Sequence, residues 1–481
     1  MDQSLKSHLK SPGLLALENA FHGMFDRSRA DGTPPYQARL DRLKRLRAAV
    51  AENETRFAQA ISADFGHRAT VETTIAETLF LLTEVKHAAK HLKKWMAPQR
   101  VPTALQFWPA KNRLIPQPVG VVGIIAPWNY PLQLTLAPAI GALAAGNRVM
   151  IKPSELTPRF AALLKEVIAA RFDATEMLVT EVDEEIARAF ASLAFDHLIF
   201  TGSTRVGRLV AEAAGRNLTP VTLELGGKSP AIVDRSADLD QAAERIAYAK
   251  LFNAGQTCIA PDYAFVPEAE VQAFAGKVQG HMRRMFGTDP ANEDYTSIIS
   301  DRHYKRLAEL VADAAAKGAS VIQAAKPDDP AWMRLRKFPP AIVLGATAEM
   351  TVMQEEIFGP VLPVLAYRDA AEPVAHINKH DRPLALYWFG KDGAARDDVL
   401  SRTVSGGVTV NDCLFHYVQI NQPMGGVGAS GIGAYHGEWG FRELSKLKPV
   451  FYRSPLNRLA DLYPPYGGKI ARMQKMLRFL S

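Results

Sequence analysis

Cys258 stands in FNAGQTCIAP (252–261), after a glycine and before a proline, among small and polar residues; it is one of two cysteines in 481 residues. A structural thiol keeps apolar company, whereas a nucleophile needs access and a neighbour that favours its thiolate. The setting therefore predicts a reactive sulfur. A thiol that adds to a carbonyl creates an oxyanion, and rigidly held amide donors stabilise such a charge. Asn129, trapped between two prolines in PWNYP (127–131), is the candidate donor; the competing account is a turn whose asparagine bonds its own backbone. Release of a covalent adduct calls for a base. Glu224 in ELGG (224–227) is a lone carboxylate ending an otherwise uncharged segment. Partial burial would raise its pKa toward that of a general base, the alternative being a salt-bridged glutamate.

Other motifs suggest a nucleotide ligand. In IFTGSTRVG (199–207) a buried strand runs through Gly202 and Ser203 into a helix. Backbone N–H groups at a helix N-terminus hold phosphate without a lysine. Gly202 and Gly207 leave room for a ligand or a neighbouring element, although a plain turn with a hydroxyl N-cap reads the same way. KPSE (152–155) ends another strand, where Lys152 and Glu155 could hydrogen-bond ribose hydroxyls or simply form a surface loop. EEIFGP (355–360) offers Glu356 and Phe358 in a loop of the same kind. Two further matches fail: GVGASG (426–431) follows no strand, and GGKS (226–229) has Thr222 where a phosphate-binding P-loop needs glycine.

The elements that must position these residues alternate. Between Leu114 and Gly227, VGVVGIIAP, RVMIK, MLVTEV, HLIFTG and TPVTLELGG read as strands, with helices between them. A second alternating series starts near Ser229, and the first 95 or so residues read as mainly helical. This is an α/β chain with two doubly wound parallel sheets, whose ligands lie beyond the carboxyl ends of the strands. Leu114 to Asn147 contains no Asp, Glu, Lys or Arg, but five prolines interrupt it. A membrane helix needs about 20 unbroken apolar residues, so this segment reads as buried strand, loop and helix. The net charge of +7 is dispersed rather than gathered into a nucleic-acid arm. Two cysteines exclude a disulfide framework and a multi-thiolate metal site, and the polar N-terminus MDQSLKSHLK lacks an export signal's apolar stretch. The cytoplasm is the expected compartment.

The ordered set PWNYP, KPSE, FTGST, LELGGKSP, FNAGQTCIAP, EEIFGP and GGVGASGIGAYHG resembles the aldehyde dehydrogenase superfamily, in its class 3-like branch, across residues 115 to 440. The resemblance implies that Cys258 attacks the aldehyde, Asn129 and the cysteine N–H hold the oxyanion, and Glu224 activates water to hydrolyse a thioester. It further implies an NAD cofactor, with NADP possible, and no metal. Lys152 and Glu155 would hold the adenosine ribose, Trp128 and Ser203 the pyrophosphate, and Glu356 the nicotinamide ribose, with Phe358 beside the nicotinamide. Glu155 would repel a 2′-phosphate. The domains implied are a cofactor domain at 1–96 and 116–226, a catalytic domain at 227–426, an oligomerisation and bridging element at 97–115 and 427–450, and a tail at 451–481. A homodimer is expected, without nucleic acid or a membrane span. Cys413 reads as structural or pocket-lining, and Phe415, His416 and Tyr417 as the substrate entrance. The implied substrate is a hydrophobic aldehyde, aromatic of the coniferyl type, with a medium- or long-chain aliphatic aldehyde as the alternative. Transfer to coenzyme A, or a binding role without turnover, are the remaining rivals.

Overall fold

The computed structural model describes residues 11–456 and 463–480. The N-terminal stretch 1–10 and part of the expected tail, 457–462, lie outside the described residues. The strand Val121–Ile125 is buried along its whole length and stands inside a six-stranded sheet. Its neighbours are Arg148–Lys152 on one side and His197–Thr201 on the other, both parallel to it. Continuous apolar runs are what a sheet covered on both faces requires. Met177–Val179 and Val221–Glu224 extend the sheet outward, and the short antiparallel strand Gly431–Ile432 closes one edge. Strand order reverses around Val121–Ile125, so PWNYP, KPSE and FTGST all open at one switch-point crevice.

The charge-free segment resolves into that central strand and the helix Gln133–Ala145, every residue of which is buried. Gly146 ends the helix at φ 94°, a conformation that glycine adopts without a side-chain penalty. No helix among the described residues is long and apolar enough to cross a membrane.

A second sheet has seven strands, in the order Ser320–Gln323, Ala341–Leu344, Val361–Tyr367, Tyr263–Pro267, Pro230–Val233, Ala385–Phe389 and Gly407–Val410. All neighbours are parallel except the first pair. The Cys258 loop leads directly into its central strand Tyr263–Pro267.

A third sheet joins Gln99–Val101, Lys111–Pro118 and Ser445–Tyr452. Its middle strand continues through Pro118, three residues past the boundary expected at 115. The expected bridging segment 427–450 is divided. Gly431–Ile432 pairs with Glu224 and Leu223 in the six-stranded sheet, and only Ser445 onward joins the third sheet. The C-terminal basic stretch forms the helix Ile470–Leu480.

Candidate active site

After the helix Leu239–Leu251 the chain turns sharply, with Asn253 and Ala254 both left-handed at φ 52° and 51°. This turn delivers Cys258 to the crevice between the two large sheets. Asn129, 4% exposed, is drawn to the same loop: its side-chain amide donates to the Gln256 carbonyl at 3.0 Å. Next to it, the Tyr130 hydroxyl and the Thr257 hydroxyl hydrogen-bond at 2.6 Å. Glu224 ends its strand 4% exposed, paired with Thr201 and Gly431, and its Oε1 finds no hydrogen-bond partner among the described residues. Burial alone pushes its pKa well above the ordinary carboxyl value, so the salt-bridged alternative does not hold.

The thiol's surroundings differ from the expectation. Burial pushes Cys258 well above the ordinary thiol value, and Glu356 and Glu224 push it further. The N–H groups of Cys258 and Ile259 act in the opposite direction with less effect. The neighbours that decide its charge are thus two carboxyls distant in the chain, which oppose the thiolate. With these neighbours the sulfur is held as a thiol.

Beside Cys258 lies an apolar cavity of about 130 Å³. Its walls include Ile75, Tyr130, Phe252, Phe415, Tyr417 and Val418, with Cys413 buried in the lining. His416, expected among them, instead hydrogen-bonds the Thr409 hydroxyl at 2.8 Å and packs against Gly407. The π-helical turn Thr74–Leu79 presents Ile75 to this cavity while directing Glu77 into the interior. Such wide turns reorient side chains at functional sites.

The dinucleotide candidates surround the other side of the crevice. Lys152 is buried and binds Glu155 at 2.8 Å. Burial alone would raise Glu155, but the Lys152 ammonium outweighs it and holds the carboxyl below its ordinary value. Ser203 caps the helix Thr204–Gly215, accepting from the Val206 N–H. A side chain on Gly202 would strike the Phe200 ring, and one on Gly207 would strike Leu225. For both glycines the close approach is made by neighbouring side chains. The Glu356 carboxyl lies against Gly226 so closely that no Cβ would fit there. Burial, then Asp262, pushes Glu356 up to about 8. Phe358, at φ 50°, meets Trp128 edge-on at 5.4 Å, and Trp128 meets His303 at 5.2 Å. An ammonium and carboxyls suited to ribose hydroxyls, the N-terminus of the helix Thr204–Gly215 and flanking aromatic faces fit a nicotinamide dinucleotide. A cleft of about 1270 Å³, lined by Thr204, Arg205, Gly226, Lys228 and Glu356 among others, extends along the same edge. Among the described residues no group of three or more His, Cys, Asp or Glu side chains is arranged to hold a metal.

Sequence reasoning passed over several residues that build this site. Arg68 lies in the loop between the helices Glu54–Phe65 and Thr70–Thr73, Glu72 in the second of these and Glu77 in the π-turn that follows, yet their side chains are buried behind PWNYP and the Cys258 loop. No local signal distinguishes them from solvent-facing charges. Tyr130, Tyr248 and Phe252 line the cavity from segments whose neighbours had drawn attention instead.

A doubly wound chain that gathers a cysteine, an asparagine and a buried glutamate at one crevice has the form of an aldehyde-oxidising enzyme. The chain belongs to the aldehyde dehydrogenase family, which it matches over residues 26–450. It is an aldehyde dehydrogenase, and members of this family use NAD or NADP. It is 48% identical to a Caulobacter vibrioides protein named "Probable coniferyl aldehyde dehydrogenase", over 92% of each chain. It is 45% identical to the coniferyl aldehyde dehydrogenase of a Pseudomonas species, over 93% of each. A Staphylococcus aureus aldehyde dehydrogenase structure in a substrate-bound state superposes with a TM-score of 0.91 at 37% identity, covering 96% of this chain and 99% of that one.

Proposed function

We propose that this enzyme oxidises hydrophobic, aromatic aldehydes of the coniferyl type to their carboxylic acids, preferring NAD, through a thioester on Cys258. The observation that carries the substrate class is the cavity beside that sulfur, walled by Tyr130, Phe252, Phe415 and Tyr417, which receives a flat apolar body with the carbonyl toward the thiol. The names of the coniferyl aldehyde dehydrogenases from Caulobacter and Pseudomonas agree with it.

Addition of the Cys258 sulfur to the carbonyl carbon, its thiol proton passing by way of the Glu224 carboxylate to solvent, forms a thiohemiacetal. The Asn129 amide and the N–H of Cys258 donate to the oxygen that gains charge. A nicotinamide dinucleotide, when bound, would supply the hydride acceptor, and Lys152, Glu155, Ser203 and Glu356 would hold it, with Trp128 and Phe358 flanking. Glu224, kept basic by burial, takes a proton from the water that cleaves the thioester. The exposed Glu155 carboxylate disfavours a 2′-phosphate and supports the preference for NAD. Phe451 and Tyr452, exposed on the third sheet, and Trp108, exposed in the connection between two of its strands, support a homodimer joined through that sheet.

The test is formation of reduced cofactor with coniferaldehyde, benzaldehyde and hexanal, using NAD and NADP, in the wild type and Cys258→Ala. Higher kcat/KM for the aromatic aldehydes with NAD, and no turnover in the variant, are expected. Full turnover by Cys258→Ala would refute the mechanism, and a hexanal preference would refute the substrate class.

A further inference from the structure

Two loops must meet for this chemistry, and they come from different sheets. PWNYP follows the six-stranded sheet, and the Cys258 loop precedes the central strand of the seven-stranded one. Asn253 joins them. It is fully buried, and its side-chain amide donates to the Asn129 carbonyl at 3.0 Å and to the Gln256 carbonyl at 3.2 Å. The Gln256 carbonyl also accepts from the Asn129 side chain. The two asparagines therefore clasp one carbonyl two residues before the nucleophile. One N–H of Asn129 is committed there and the other remains for an oxyanion.

The clasp is held from behind by buried charge. Arg68 Nη1 donates to the Asn129 carbonyl at 3.1 Å and to Glu77 at 2.8 Å. Glu77 accepts from the N–H groups of Leu132 and Gln133, fixing the chain just past Asn129. Glu72 accepts from the Asn253 N–H at 3.1 Å and from the Thr296 hydroxyl. On the far side Gln256 reaches the Ser297 carbonyl and the Ile299 N–H. Asn253 also has the right backbone: φ 52°, ψ 32° is left-handed, a region asparagine visits with little penalty.

We propose that Asn253 is a positioning residue, which sets the free N–H of Asn129 against the sulfur by tying both to the Gln256 carbonyl. The inference rests on the reading of Asn129 as oxyanion donor given above. Asn253 touches no reacting atom and acts by setting Asn129 relative to the Cys258 loop, so the two asparagines share one contribution to acylation.

The experiment is a double-mutant cycle on full-length enzyme. Asn253→Gly keeps the left-handed backbone accessible while deleting both side-chain bonds. It is expected to slow the first turnover of reduced cofactor by roughly 10- to 100-fold. The aldehyde KM and the cofactor Kd, read by tryptophan fluorescence, stay within about threefold of wild type, because uniform binding is untouched. Asn129→Ala loses roughly 100- to 1000-fold. Adding Asn253→Gly to it is expected to lose less than about threefold more, since residues acting as one unit are not additive. Asn253→Asp, which turns a donor into an acceptor facing two carbonyls, is expected to be slowed as well and serves if the glycine variant does not fold. A full first-turnover rate in either folded variant, or equal losses in both backgrounds, would overturn the proposal. A full rate in Asn129→Ala would overturn the donor reading and the coupling together.

Discussion

Glu356 provides a titration that cofactor binding should report. Its carboxyl is packed against Gly226, pushed up to about 8 by burial and by Asp262. Only the ionised form accepts hydrogen bonds from both ribose hydroxyls, so the observed Kd is the intrinsic one divided by the ionised fraction. With a pKa of about 8 that fraction is about one in a hundred at pH 6, one in ten at pH 7 and one half at pH 8. NAD is therefore expected to bind roughly 50-fold tighter at pH 8 than at pH 6. Among its neighbours, Lys250 is lowered to about 8 by burial and titrates over the same range, so the part of the slope that belongs to Glu356 is the difference from Glu356→Gln. Glu155 is held below its ordinary value and is ionised throughout, while His303, lowered to about 4 by burial, is neutral throughout. The assay is quenching of tryptophan fluorescence in Cys258→Ala, which removes the thiol. Trp128, in edge contact with Phe358, is the expected reporter. Glu356→Gln should bind with a clearly shallower pH dependence than its parent. A flat profile in the parent, or an unchanged slope in the glutamine variant, would refute the reasoning.

Glu84 is buried and pushed up to about 8, so the folded chain keeps a proton that the unfolded chain loses above about 4.5. Its contribution to stability is complete below about 4.5 and is lost as pH rises to about 8, up to about 5 kcal/mol. Urea unfolding at pH 5 and pH 8.5 should show a smaller pH-dependent loss in Glu84→Gln than in wild type; equal losses would contradict this. Phe252, which faces Tyr130 in parallel at 6.4 Å, walls the cavity. Phe252→Ala should lower kcat/KM for benzaldehyde about tenfold and for acetaldehyde far less; equal losses would deny it a role in recognition.

What the sequence made legible depended on how local the signal is. Strand ends carrying Glu224 and Asn129 were readable because an apolar run followed by a polar residue marks a sheet edge in the chain itself. The alternation of strands and helices likewise placed both large sheets. Charge on the sulfur was not readable: small polar neighbours in FNAGQTCIAP suggest accessibility, but the carboxyls of Glu356 and Glu224 reach it only through folding. His416 was misplaced for a related reason, since a turn after Val410 sends it toward Thr409 and not toward the cavity. Glu77 looks like any helical surface charge, and only the π-turn and the pairing with Arg68 explain its burial. The strand through Pro118 and the split of 427–450 came from pairings between segments more than two hundred residues apart.

The most direct test of the account is to stop the reaction at the thioester. Glu224→Gln mixed with benzaldehyde and NAD should give one reduced cofactor per site in a single burst. Intact mass should rise by the benzoyl group, and digestion should place that group on Cys258. A variant that turns over at the wild-type rate, or that carries the acyl group on Cys413, would contradict the assignment of nucleophile and base.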